Sequence, residues 1–312
     1  MINRELIRIK TVQLSYAYFQ NGNRNLDNAE KELIFSLSKS YHLYNYLLEL
    51  IVQLTALARK QYDIESKRAE RENEPLPSSR FVNNRFAFQL QENIMLNQFY
   101  EKQKHIWDDS IEHLRKLLTA IQQSEMYTEY LEGPDSYEED REIWRKIYRH
   151  FVQDNDDLKA ILEEHSLYWN DDKEVVDTFV LKTIKRFEEN SGTDFQLLPE
   201  YDDEEDLNFA CKLFRATILN AEQYQKYMSE ASRNWDFSRL AYMDIVIMQI
   251  AIAEMLNFPG IPVNVTINEY VELAKLYSTP KSGKYINGML DAIARHLVKT
   301  GKMFKPLKEN NK

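Results

Sequence analysis

Residues 267–291 read INEYVELAKLYSTPKSGKYINGMLD, two amphipathic segments around a short polar loop. Tyr277 closes the first segment and Tyr285 opens the second, with Lys281 and Lys284 between them. Aromatic faces beside lysines are what single-stranded RNA uses, because bases stack on rings and phosphates meet ammonium groups. By spacing alone the preferred reading is a pair of rings packed beneath the loop of a helical hairpin.

Other chemistries find little support. The histidines His42, His105, His113, His150, His165 and His296 include no pair at i+3 or i+4, the spacing a helical metal site needs. Cys211, the single cysteine, sits in the helical segment FACKLF and reads as a buried thiol. No glycine-rich phosphate loop and no nucleophile elbow is present. Adjacent acids such as Glu163–Glu164 and Asp202–Asp203 point apart on a helix. The expectation is therefore a protein that is not an enzyme, with no catalytic residue, metal or cofactor.

The 312 residues carry a net charge of −10, which weighs mildly against a nucleic-acid binder, although local patches decide such binding. The charge is uneven. PEYDDEEDLN (199–208) holds six carboxylates, and RHLVKTGKMFKPLKENNK (295–312) holds six Lys and Arg against one Glu. No apolar run reaches the roughly 18 residues of a membrane span, and MINRELIRIK lacks a signal-peptide core. With one cysteine and no leader, a cytoplasmic location is expected.

Seven glycines and eight prolines in a chain rich in helix formers predict an all-α protein. In residues 3–20 an apolar stripe runs through Leu6, Ile9, Gln13, Tyr16 and Phe19, and Arg4 and Arg8 share one face, expected to be exposed. Gly22 ends this helix, and Asp27 caps a second that runs to about residue 58. Residues 64–80, charged and with two prolines, read as a linker, and the acidic stretch 199–206 as an exposed connector. WRKIYRHF (144–151) interleaves aromatics with basic residues; its rings either pack inward, the preferred reading, or extend an RNA surface. Thr266 and Glu269 form a T-x-x-E box that predicts a helix from Ile267, and Ser282 is expected to cap the last helix, which Gly301 ends.

The segment from residue 208 to 294 resembles the NusB family of transcription antitermination factors. The pieces are FA..L at 209–213, W.FSRL at 235–240, D.VIMQIAIAE at 244–254, IP..V.INEYVELAK at 261–275 and S.KYINGMLD at 282–291, in matching order and spacing. RELIRIKTVQLSYAY is similar to the family's arginine-bearing first helix, with Leu14-Ser15-Tyr16 in place of a plain Leu-Tyr. The middle of the chain resembles the enlarged, Bacteroidetes-type form of the family. The resemblance implies a NusB-like pair of helical bundles with a large helical insertion: 1–54 as N-terminal helices, 55–204 as an insertion of unassigned role, 205–303 as the C-terminal core and 304–312 as a basic tail.

The resemblance further implies binding of the boxA element of nascent ribosomal RNA together with NusE, a ribosomal protein, and action on RNA polymerase. By position it places RNA contacts on Arg4, Arg8 and Tyr16 of the first helix and on Tyr277, Lys281 and Tyr285 of the hairpin. Lys281 stands where the family often has an acid. Asp244 falls on the NusE-facing side, though it equally suits the first turn of its own helix. Gly288 is expected to allow close helix approach. Two other classes remain for comparison. An RNA methyltransferase with a NusB-like domain requires a glycine-rich cofactor loop that this sequence lacks. A protein-binding helical module without RNA contact is favoured by the net charge.

Overall fold

The computed structural model describes residues 1–21, 25–231, 240–279 and 281–307. Gly22, all of the W.FSRL motif but Leu240, and the tail beyond 307 lie outside the described residues. The described chain runs through α1 (Arg4–Gln20), α2 (Leu26–Glu72), α3 (Arg85–Gln91), α4 (Ile94–Tyr100), α5 (Ile111–Gln122), α6 (Glu125–Glu132), α7 (Tyr137–Ile147), α8 (Asp156–His165), α9 (Lys173–Arg186), α10 (Glu204–Leu219), α11 (Ala221–Ala231), α12 (Tyr242–Asn257), α13 (Val263–Tyr277) and α14 (Ser282–Lys299). Among the described residues no strand forms, and Ile2 and Tyr201 make one isolated parallel bridge. The fold is all-α, as the sequence predicts. No described helix is long and apolar enough to cross a membrane.

The chain divides into two compact units. One comprises Met1 and residues 38–200, the other residues 2–37 and 201–312. The sequence segment 1–54 is thus shared between them, because α2 continues without interruption through residue 37. Asn25, not Asp27, caps α2: its Oδ1 accepts from the Asn28 amide at 3.0 Å. The expected linker over 64–80 is also corrected. α2 extends to Glu72, since Glu, Lys and Arg are good helix formers and the prolines come later. Asn73 then takes the left-handed conformation (φ 52°) and Glu74 N–H closes on the Ala69 carbonyl at 2.9 Å, a helix-terminating geometry.

In the unit of residues 38–200, buried polar groups are matched by donors from distant elements. Tyr44 Oη lies 2.6 Å from Thr183 Oγ1 and accepts from the Leu198 amide. Asp140 on α7 accepts from Tyr130 Oη and Arg85 Nε, each at 2.7 Å. A single π-helical turn, Tyr148–Val152, extends α7. The Lys173 ammonium donates to the closing carbonyls of Val152 and Gln153 and to Asp177, which also accepts from Tyr148 Oη. Trp144 and Tyr148 are buried and Phe151 is half-buried, while Lys146, Arg149 and His150 are exposed, so Trp144 and Tyr148 pack inward.

The unit that carries the hairpin is organised around α12. Every residue from Val246 to Met255 is buried, as expected for a helix apolar on nearly all sides. α1, α10, α11, α13 and α14 all pack on it. Two polar side chains are buried with the apolar ones. Gln249 donates to the Ala221 carbonyl at 3.1 Å, and Glu254 is neutralised as described below.

Glu49 in α2 gives the first unit a pH signature. It is 4% exposed and accepts from Gln53 Nε2 at 2.8 Å. Burial, with Asp108 adding to it, raises its carboxyl from 4.5 to about 7. The folded chain therefore holds a proton that the unfolded chain releases. This stabilisation is complete below pH 4.5 and is lost as pH rises through 7. Glu49→Gln keeps the acceptor and removes the titration. Chemical denaturation is expected to show the variant gaining on the wild type, by roughly 3 kcal/mol at most, between pH 4.5 and 8.

Candidate nucleic-acid interface

α1 starts at an Asn3 cap whose Oδ1 accepts from the Leu6 amide at 2.9 Å. Its first arginine, Arg4, lies with its guanidinium 4.1 Å from the Phe209 ring centroid and pairs with Asp206 at 2.8 Å and Glu205 at 3.2 Å. The acidic stretch is not a free connector there. Asp203 caps α10 by accepting from the Glu205 and Asp206 amides, and the acids that follow form the first turn of α10.

Arg8 departs most from the sequence reading, which expects it exposed. It is 5% exposed. Its Nε and Nη2 donate to the two carboxylate oxygens of Glu254 at 2.8 and 3.1 Å, and Nη1 donates to Glu269 at 3.1 Å. Glu254 also accepts from Thr266 Oγ1 at 2.8 Å and Tyr270 Oη at 3.0 Å. Burial opposes the Arg8 charge, yet the hydrogen bonds and field of Glu254 outweigh it and hold its pKa above the ordinary arginine value. Burial and the same carboxylate push the Tyr270 phenol far up. The expected T-x-x-E box is therefore not a cap. α13 begins four residues earlier, at Val263 after Pro262, and the Thr266 hydroxyl serves Glu254 instead.

Further along α1, Gln13 Nε2 donates to Tyr277 Oη at 3.0 Å, and the Tyr16 ring meets the edge of Tyr242 at 5.8 Å. These contacts bring the second half of α1, the start of α12 and the hairpin tip together. At the tip Tyr277 and Tyr285 are half-buried, and Lys281 and Lys284 are exposed. The loop is gathered around one hydroxyl. Ser282 Oγ accepts from the Thr279 amide at 3.3 Å, lies 2.8 Å from Thr279 Oγ1 and 3.1 Å from Ser278 Oγ, and donates to Asp244 at 3.1 Å. Ser282 is the first residue of α14, with Lys281 at the cap position, so its hydroxyl serves the loop and not its own helix. Asp244 is buried in the first turn of α12 and faces this hydroxyl.

Gly283, one residue on, admits close approach of α13. A Cβ on it would stand 3.0 Å from Lys275 Cγ of α13. Arg4 and Arg8 lie at the other end of α1, twelve residues before Tyr16 in the case of Arg4, or about 18 Å along the axis. There Arg4, Arg8, Ile9, Glu269, Leu273 and Leu276 help line a groove of about 580 Å³ between α1 and α13. Among the described residues no group of three or more His, Cys, Asp and Glu is placed to hold a metal ion.

The sequence reading missed Gln13 and Tyr242 as parts of this surface and Glu254 as the buried carboxylate beneath it. For Glu254 a signal exists: it is a lone carboxylate within IVIMQIAIAEML, where burial demands a partner. Nothing local points to Gln13, because its contact spans 264 residues.

Much of this all-α unit, with its buried central helix and its tyrosine- and lysine-bearing hairpin tip, falls in a stretch that matches a known protein family. Residues 178–295 match the NusB family. The chain is 34% identical over 132 residues to the "Transcription antitermination protein NusB" of Salinibacter ruber, covering 40% of this chain and 82% of that relative. It is 35% identical over 133 residues to the protein of the same name in Geotalea daltonii, covering 42% and 88%. Against that of Natranaerobius thermophilus it is 41% identical over 100 residues, covering 30% and 72%. No solved structure gives a significant match. The chain belongs to the NusB family, and at 312 residues it is larger than typical members.

Removing Arg8 leaves Glu254 buried without its charge partner. Arg8→Met is expected to cost about 3–5 kcal/mol in denaturant unfolding. Arg4→Met, at a partly exposed pair, is expected to cost no more than about 1 kcal/mol.

Proposed function

We propose that this chain is a transcription antitermination factor that binds boxA-type single-stranded RNA of nascent ribosomal transcripts. In this reading it acts with NusE, the ribosomal protein, on RNA polymerase. The observation that carries the reading is the hairpin tip with Tyr277, Tyr285, Lys281 and Lys284, held to α1 through Gln13, three residues before Tyr16, in a chain whose relatives are named for antitermination.

The residues take different parts. Tyr285 and Tyr277 supply stacking faces, Lys281 and Lys284 meet phosphates, and Tyr16 with Tyr242 continues the aromatic surface along α1. Arg4 reaches phosphate by exchanging it for Glu205 and Asp206, so its share depends on salt. Arg8 acts through position: engaged by Glu254 and Glu269, it sets the register of α1 against α12 and α13. Asp244 is assigned to the NusE-facing side, acting through the Ser282 loop that it holds.

The test is fluorescence anisotropy with a boxA oligonucleotide and a scrambled control, with and without NusE. Wild type is expected to prefer boxA. Tyr285→Ala is expected to weaken binding by at least about fivefold, the loss of one stacked base. Lys281→Gln is expected to flatten the plot of log affinity against log salt by about 0.7, one phosphate on a single strand. An absence of preference even with NusE present would sink the RNA reading and promote a helical protein-interaction scaffold.

A further inference from the structure

The far end of α14 carries a second basic and aromatic patch, eighteen residues of helix or about 27 Å from the hairpin tip. Gly301 takes the left-handed conformation (φ 67°) and turns the chain, with the Leu297 carbonyl accepting from both the Lys302 and Met303 amides. Met303 is buried, and Lys305 Nζ donates to the Ile261 carbonyl at 2.8 Å. Between these two anchors Phe304 stands 93% exposed. A single exposed ring is ordinary. This one differs because both its neighbours are fastened and the surroundings are cationic.

Lys302 Nζ sits 4.2 Å from the Tyr227 ring centroid, and Lys299 is exposed on the last turn of α14. Lys226 adjoins Tyr227 on α11 and is exposed. Glu230 faces this group, 3.7 Å from Lys302 and 3.1 Å from His296 Nε2. The His296 hydrogen bond, followed by the fields of Lys302 and Lys226, holds its carboxyl below the usual range. Lys302 and Lys226 therefore both act on Glu230, and Lys299 adds a third exposed ammonium on the last turn of α14, in a chain whose net charge is −10.

Resting on the RNA reading above, we propose that this end of α14 is a second contact for single-stranded RNA. Phe304 supplies a stacking face, and Lys299, Lys302 and Lys226 meet the phosphates on either side. Rings alternating with ammonium groups match the base and phosphate alternation of a single strand. An RNA long enough to run from the hairpin tip along α14 engages both ends, so flanking nucleotides outside boxA add affinity with little dependence on their sequence.

The experiment uses the full chain and two RNAs: boxA alone, and boxA extended at both ends by unstructured pyrimidine-rich strand. Anisotropy is recorded across a potassium chloride series for wild type, Phe304→Ala, Lys299→Gln/Lys302→Gln and Tyr285→Ala. On the extended RNA, Phe304→Ala is expected to weaken binding at least about fivefold. The double lysine variant is expected to flatten the salt slope by about 1.4, two phosphates. On boxA alone neither variant is expected to differ from wild type. Phe304 is exposed, so an unchanged thermal melt separates lost contact from lost fold. If the tail variants bind the extended RNA like wild type while Tyr285→Ala weakens it, this inference is overturned and the hairpin reading stands. If wild type binds neither RNA, both fall. Capture of an acidic peptide by the patch with RNA affinity unchanged in the tail variants also overturns it.

Discussion

One buried carboxylate organises the unit that carries the hairpin. Glu254 lies in a helix that is otherwise apolar on almost every side and is fully removed from water. An ionised group in that position is tolerable only if donors surround it. Arg8, Thr266 and Tyr270 supply four hydrogen bonds, and they come from α1 and α13. The charge thus ties three helices in one register. Where Gln13 meets Tyr277, and where Tyr16 meets Tyr242, follow from that register.

Much of this architecture was legible in the sequence. Few glycines and a 3.6-residue apolar period specify helices, and IVIMQIAIAEML specifies the central one. The role of Arg8 was not legible, because an arginine on a helix looks the same whether it faces water or a carboxylate 246 residues away. Helix ends were read less well than helix bodies. Charge over 64–72 signals exposure and not irregular structure, so α2 ran on past the expected end. Thr266 had the spacing of a cap, but its hydroxyl was drawn to a stronger acceptor.

The candidate surface was legible in its parts and not in its assembly. Tyr277, Tyr285, Lys281 and Lys284 stand close in sequence, so a hairpin brings them together by necessity. Tyr16 and Tyr242 are joined only by the packing of α1 on α12. In the unit of residues 38–200, Trp144 and Tyr148 show the converse. A pattern that suits a binding surface was drawn inward by the same hydrophobic burial that builds any core.

The Ser282 hydroxyl has a thermodynamic consequence. It gathers Ser278, Thr279 and Asp244 around itself, so the described part of the 278–284 loop is cross-braced before any ligand arrives. A loop already held in shape surrenders little conformational entropy on association. Encounter at this tip therefore resembles docking onto a preset template more than folding around a guest.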